Sequence, residues 1–331
     1  MDREGTLLLK RSEVAALLGV EECIAAIEQA FKLYAEGKIA PPGILGIHAP
    51  DGGLHIKAGI LELGRPYIVA KLNANFPQNM SRFGLPLIQG IVVLCDGENG
   101  YPLALMDSME ITIIRTGAAT GVAAKYLARA DSKVATICGC GNQGRISLKA
   151  LAQVRQLSRA YAFDIDEEYA RRFAQSLSEE IGFEVLAVSD LAKAVKESDI
   201  CVTCTPSKRY FINSEYVSPG TFIAAVGADN EEKQELDPRL LVSNKVVVDM
   251  LEQCANIGEL HHALEQGLIT KADVHAELGE VIAGNKTGRT SDEEIIIFDS
   301  TGTALQDVAA ATIVYERAVS AGMGVVMDLG E

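Results

Sequence analysis

The stretch Cys138-Gly139-Cys140-Gly141-Asn142-Gln143-Gly144 spaces its glycines as G-x-G-x-x-G, after the apolar run 133–138 and before a helix-compatible segment, 145–154. Gly139 permits a tight turn, and Gly141 lets a phosphate approach the backbone. The free N–H groups and dipole at the helix start attract anions. Asp164 lies 20 residues past Gly144, closing a second apolar run, 160–164. An acid there accepts hydrogen bonds from ribose hydroxyls. Glycine-rich turns are common. The order strand, turn, helix, strand, acid separates a dinucleotide site from a βα turn that binds nothing. Asp164-Ile165-Asp166 sets two carboxylates against a 2′-phosphate, and no arginine follows before Arg171. The expected cofactor is therefore NAD rather than NADP.

Lys71 interrupts Val69-Ala-Lys-Leu-Asn73, which otherwise reads as a buried strand. A buried lysine is costly unless it is paired or functional. The period of two puts Lys71 and Asn73 on one face, and His55 and Lys57 on one face of an earlier strand. Adjoining faces would make a cationic pocket; edge strands whose lysines reach water are the alternative. Arg115 stands among aliphatic and small residues, and its fork suits a phosphate or carboxylate, with a structural ion pair as the other reading. Val226-Gly-Ala-Asp229 and Thr205-Pro-Ser207 each close an apolar run. Ligands of parallel sheets sit at the carboxyl ends of strands, so Asp229 is a candidate acid or base and Thr205 a candidate ribose contact. Cys201 and Cys204, three apart on a strand, point to opposite faces. His261, His262 and His275 show no carboxylate at a defensible ligand spacing, so no metal is expected. Asp237, Asp292 and Glu293 read as solvated.

These residues need a scaffold, and the pattern supplies one. From residue 133 the chain alternates strand and helix, with strands expected at 133–138, 160–164, 183–188, 199–205, 221–226, 245–249 and 294–298. The early ones are near-continuous apolar runs, as in a parallel sheet buried on both faces. Before them come a short strand at 6–11, a helix over 21–37, and alternating runs at 54–58, 67–73 and 87–94. Turn residues pair 87–94 with 102–106 as a hairpin. A helix rich in small residues spans 112–130, and another, 306–320, closes the chain. The expected fold class is α/β, a Rossmann-type doubly wound parallel sheet inserted into an α+β unit. The boundaries are 1–118 plus 303–331 for substrate binding and dimerisation, and 119–302 for NAD. With 331 residues, 48% of them hydrophobic, there is ample core for two domains. A net charge of −15 disfavours nucleic acid and anionic membrane surfaces. No run has the length of a membrane span, the N-terminus lacks a signal-peptide pattern, and seven scattered cysteines fit a reducing cytoplasm.

Several blocks taken together resemble the ornithine cyclodeaminase / mu-crystallin family nearly end to end. They are Val69–Asn73, Gly84-Leu-Pro86, Gly100–Asp107, Ile114–Ala119, Cys138–Gln143, Val226–Asp229 with Lys233–Asp237, and Phe298-Asp-Ser-Thr-Gly302. From Lys245 to Arg317 the chain is similar to the archaeal-type alanine dehydrogenase branch. The resemblance implies a homodimer with a dinucleotide in an inserted Rossmann domain. It makes Lys71 and Asp229 the catalytic pair and Arg115 the carboxylate anchor near the nicotinamide. It surrounds the cofactor with Arg115, Thr116, Gly139, Gly141, Asn142, Gln143, Asp164, Asp166, Thr205, Pro206, Val226, Gly227, Ala228, Lys233 and Ser300. Lys57, His55, Asn73 and Thr301 join Arg115 on the substrate side. The chain departs from the family pattern at Gly43 and His55, where many members carry an arginine, and at Leu87, where some have a cofactor-contacting threonine. Lys57 stands in for the missing cation.

The activity this implies is oxidative deamination of a small L-amino acid to a 2-oxo acid and ammonia, or its reverse. Cyclodeamination of ornithine to proline and reduction of a cyclic imine such as a pyrroline carboxylate share the first step. A non-catalytic ligand binder is the reading from another class, and it has no need of a proton-transfer pair.

Overall fold

The computed structural model describes residues 5–329. The chain divides into two compact units: residues up to Arg115 with those from Thr303 onward, and Thr116–Gly302 between them.

The first unit is built on a seven-stranded sheet. Its order is Val325–Met327, Thr6–Leu9, Pro102–Asp107, Ile88–Asp96, Pro66–Asn75, Gly52–Glu62 and Gly43–Ala49. The four neighbours from Gly43 to Asp96 run antiparallel, whereas Thr6–Leu9 lies parallel to Pro102–Asp107. The hairpin of 88–96 with 102–107 forms as the turn residues require. The strand Gly43–Ala49 is absent from the sequence expectation, because Pro41-Pro42-Gly43 masks its start. Residues 10 and 11 leave the first strand, and Arg11 opens the helix Arg11–Leu17. The helices Val20–Ala35 and Ala304–Ala321 pack together, and the latter also covers the central strands. Ala304–Ala321 buries Leu305, Val308, Ala309, Ala310, Ala311 and Val314. Its alanines allow close approach to the sheet, so that a Cβ on Gly59 would stand 3.2 Å from that of Ala304.

The second unit holds an eight-stranded sheet in which every pair is parallel. The order is Ala276–Glu277, Lys245–Val248, Ile296–Asp299, Phe222–Ala225, Ile200–Thr203, Val134–Cys138, Arg159–Phe163 and Glu184–Ala187. The chain winds outward from Val134–Cys138 in one direction and then restarts on its other side at Ile200–Thr203. That reversal is the topological switch point at which doubly wound sheets bind ligands. Every strand expected from the sequence is present, and Ala276–Glu277 is added at one edge. The long small-residue helix runs Met109–Leu127 rather than 112–130. Among the described residues no helix is long and apolar enough to cross a membrane.

Candidate active site

In the first unit Lys71 occupies a central strand, flanked on both sides, and is 2% exposed. The edge-strand reading therefore fails. The register sets Lys57 directly across from Lys71, and His55 directly across from Asn73. Two like charges facing each other destabilise a sheet unless a counter-charge intervenes. Asp307, on the helix Ala304–Ala321, intervenes: its Oδ1 is 2.5 Å from Lys71 Nζ. The same oxygen lies 3.3 Å from Arg115 Nε, an ion pair outside hydrogen-bond geometry. Arg115 also donates from Nη1 to Gln306 Oε1 at 2.7 Å. Lys57, Lys71, Arg115, Gln306 and Asp307 are all buried. Burial is the main cause that lowers Lys71 to about 7, from an ordinary 10.5. Asp307 resists that fall, and Arg115 and Lys57 add to it. A lysine near neutrality loses and regains a proton at working pH, which is what a general base must do.

Asn73 is also tied to the long helix. Its Oδ1 accepts from Ser108 Oγ at 2.6 Å and its Nδ2 donates to Thr112 Oγ1 at 3.4 Å, fastening the strand to the start of the long helix. Asp307 and Gln306 escaped the sequence reading. The visible trace was a carboxylate in the apolar run Ala304-Leu-Gln-Asp-Val-Ala-Ala-Ala.

In the second unit the glycine-rich turn follows its strand as expected, but the helix begins at Asn142, so the turn and the helix N-terminus coincide. Gly139 has φ +101°, which only glycine adopts readily. A Cβ on Gly144 would fall 2.1 Å from the Gly139 carbonyl oxygen, so helix and turn pack backbone to backbone. A Cβ on Gly141 would meet nothing within 4 Å, which leaves that backbone open to a ligand. Gln143 Oε1 is buried there with no hydrogen-bond partner. An open backbone, an orphaned acceptor and a free helix start fit a dinucleotide pyrophosphate and its ribose.

Asp164 stands beside this turn: Oδ2 accepts from the Cys140 N–H at 2.9 Å and Oδ1 from the Asp166 N–H at 3.1 Å. Asp166 is an exposed helix N-cap whose Oδ1 accepts from the N–H groups of Glu168 and Tyr169. The cap engages Oδ1 alone, a structural role beside the ribose contact expected of Asp166. Thr205, the exposed Pro206 and the stretch Val226–Asp229 follow the ends of the two neighbouring strands. Lys233 Nζ is 2.7 Å from Asp229 Oδ1, so the candidate acid–base carboxylate has a cationic neighbour. Asn142 is exposed, and Ala228 and Thr116 are buried. Ser300 Oγ donates to Asp249 Oδ2 at 2.9 Å, and Thr301 Oγ1 accepts from Gln253 Nε2 at 2.7 Å. Both hydroxyls are buried, and each makes a hydrogen bond within the second unit.

Two further readings change. Asp237 is buried rather than solvated and is clasped by Arg239 Nε at 3.0 Å, which lowers its carboxyl below the usual range. His261, His262 and Glu265 bring one ligating atom each within 4.8 Å of the others, so a carboxylate does stand at ligand spacing. His262 Nε2 is engaged there with the Lys233 carbonyl at 2.8 Å.

A doubly wound sheet with a glycine-rich phosphate turn and an acid at the ribose position, in one chain with a unit that buries a lysine among cations, points to a class: dinucleotide-dependent enzymes. The comparisons narrow it. The model of the ornithine cyclodeaminase/mu-crystallin family matches residues 4–322, and the chain belongs to that family. The chain is 44% identical to an alanine dehydrogenase of Archaeoglobus fulgidus over 319 residues, 96% of this chain and 97% of the relative. A solved archaeal alanine dehydrogenase dimer with bound NAD superposes with a TM-score of 0.94 at 42% identity, covering 98% and 99% of the two chains. The Δ1-pyrroline-2-carboxylate reductase of Thermococcus litoralis, solved with NADH and L-proline, gives a TM-score of 0.92 at 35% identity, covering 97% and 100%.

Proposed function

We propose that the protein is an NAD-dependent oxidoreductase acting at the α-carbon of a small L-amino acid, in oxidative deamination or the reverse reductive amination. The observation that carries this reading is the buried cluster of Lys71, Asp307, Arg115 and Lys57. Arg115 and Lys57 both place positive charge next to Lys71, and a substrate carboxylate complements that charge. Arg115 and Lys57 hold that carboxylate. Lys71 in its free-base form takes a proton from the substrate amino group. NAD supplies the hydride acceptor. The resulting imine is hydrolysed with Asp229 moving the proton to and from water. Amino acid, NAD+ and water thus give 2-oxo acid, ammonium, NADH and a proton. Because the base must be deprotonated, deamination should rise with pH through about 7. An NAD-coupled screen of L-amino acids, with a ninhydrin assay for proline alongside, tests the reading. NADH accumulating with a small neutral amino acid is expected, and no NADH from any member of the panel would sink it.

A second reading, reduction of a cyclic imine to an amino acid such as proline, is supported by the T. litoralis relative, solved with NADH and L-proline. It uses the same residues and is distinguished by NADH consumption with a pyrroline carboxylate.

NAD is expected over NADP. Each Asp164 oxygen accepts one backbone N–H and keeps a lone pair for a ribose hydroxyl, while its charge repels a 2′-phosphate. Catalytic efficiency with NADH should exceed that with NADPH by roughly tenfold or more, about 1.4 kcal/mol of discrimination. Equal efficiency would contradict this, and Asp164→Ser should narrow the gap.

A homodimer is expected through the first unit. Its edge strand exposes Ile44 at 47%, Leu45 at 56% and Ile47 at 49%, and Met80 and Phe83 are also exposed. Apolar side chains on an unpaired edge call for a cover, and a second copy supplies one. The dimeric archaeal relative supports this. Light scattering should give twice the chain mass at micromolar concentration, and Leu45→Glu should shift it toward one. Seven free thiols favour a cytoplasmic location.

A further inference from the structure

Among the carboxylates buried in the second unit that the mechanism does not use are Glu235, Glu259 and Asp299, each at most 1% exposed. Glu235 sits on the short strand Gln234–Leu236. Its Oε1 accepts from the Thr205 N–H at 2.6 Å and the Thr205 hydroxyl at 2.7 Å, and its Oε2 accepts from the Gly227 N–H at 3.1 Å. One side chain thus fastens the loops that follow two adjacent sheet strands, Ile200–Thr203 and Phe222–Ala225. Behind it, Glu259 accepts from the backbone N–H groups of Glu235 and Leu236 at 2.7 and 3.1 Å. Asp299, ending the next strand, accepts from the Leu260 N–H at 2.8 Å and so anchors the start of the helix that carries Glu259. The three carboxylates form a relay that joins the carboxyl ends of three neighbouring strands.

We propose that Glu235 is a positioning residue that fixes the nicotinamide half of the dinucleotide cradle, supported by Glu259 and Asp299; this rests on the NAD reading above. The sheet order assigns the half. The phosphate turn follows Val134–Cys138, and Asp164 follows the strand on one side of it. With the adenosine ribose on that side, the remaining half of the cofactor extends over the strands on the other side, whose loops Glu235 ties. Gly227 is required by the same contact, since a Cβ there would fall 2.4 Å from Glu235 Oε2. A carboxylate is required too. All three partners donate, and a carboxylate is acceptor-only, whereas a glutamine amide turns an NH2 toward either Thr205 or Gly227. Preorganised loops lower the ordering cost of binding.

The test is calorimetric titration of the full chain with NADH and, separately, with AMP, which probes the adenine half alone. Glu235→Gln should weaken NADH binding roughly tenfold or more, the loss of one hydrogen bond to a charged group, and leave AMP binding unchanged. In turnover the KM for NAD should rise far more than kcat falls. Glu235→Asp keeps the charge but is too short to reach both loops, and it should show the same selective loss if the glutamine variant does not fold. The proposal is overturned if the variants bind NADH as the parent does. It is also overturned if they lose AMP and NADH in equal proportion, or if neither folds, because Glu235 would then serve the unit as a whole. Binding of AMP but not NADH by the parent chain would overturn the cofactor reading itself, and this inference with it.

Discussion

Lys71→Ala should lower turnover by about 10² to 10⁴ and leave NADH affinity nearly unchanged, the range that general-base catalysis supplies. The two effects separate because Lys71 lies in the first unit, whereas the glycine-rich turn and Asp164 lie in the second. Lys71→Arg should not restore turnover. A guanidinium keeps its proton at any working pH, whereas burial and its neighbours bring Lys71 to about 7. Lys57→Ala should mainly raise the Michaelis constant for the amino acid, since a carboxylate anchor acts in ground and transition states alike. Single-turnover rates of the three variants at saturating NAD check this. Near-normal rates for Lys71→Arg would show that Lys71 is only a charge that holds the carboxylate.

The parts of this site that the sequence made legible are those set by local spacing. The glycine turn, Asp164 and the strand-end positions of Thr205 and Asp229 follow from alternation of strand and helix, because a parallel sheet presents its ligand edge at fixed points along each unit. The period of two gave Lys71 and Asn73 one face and His55 and Lys57 another, and the register of the neighbouring strands joins them, Lys57 across from Lys71. What escaped depends on contacts between segments far apart in the chain. Asp307 is 236 residues from Lys71. Its alanine-rich helix shows no periodic stripe, because nearly all of its face is buried. Glu235 and Asp237 look like ordinary surface acids in Lys233-Gln-Glu-Leu-Asp237, yet both are buried. Their partners are backbone N–H groups and an arginine that no spacing rule points to. Asp166, Ser300 and Thr301 carry structural contacts that spacing does not show. Each is a polar group near the ligand edge that also caps a helix or bonds Asp249 or Gln253.

Asp307→Asn should destabilise the fold by about 3–5 kcal/mol and move the acid limb of the pH–rate profile downward. Asp307 is fully buried, and its Oδ1 serves Lys71 at 2.5 Å and Arg115 at 3.3 Å. Asparagine keeps the volume and removes the charge. Of the influences on Lys71, Asp307 is the one whose charge raises its pKa, so without it the value falls below about 7. The free-base lysine then persists to lower pH, and deamination should lose its rate at a lower pH than in the parent. Stability carries the matching sign. The folded pKa of Lys71 already lies below its ordinary 10.5, so the unfolded chain binds more protons between the two values and stability rises with pH across that window. Above about 7 Lys71 is neutral in both proteins, and the variant removes the Asp307 charge from beside Arg115, which cannot lose its proton, and Lys57. Below it the variant must either add the Lys71 charge to those two cations without Asp307 or keep Lys71 deprotonated against the solvent. The stability gap between parent and variant should therefore be larger near about pH 6 than near about pH 9 in denaturant unfolding. A gap that does not change with pH, or an acid limb that stays in place, would mean that Asp307 does not set the protonation of Lys71.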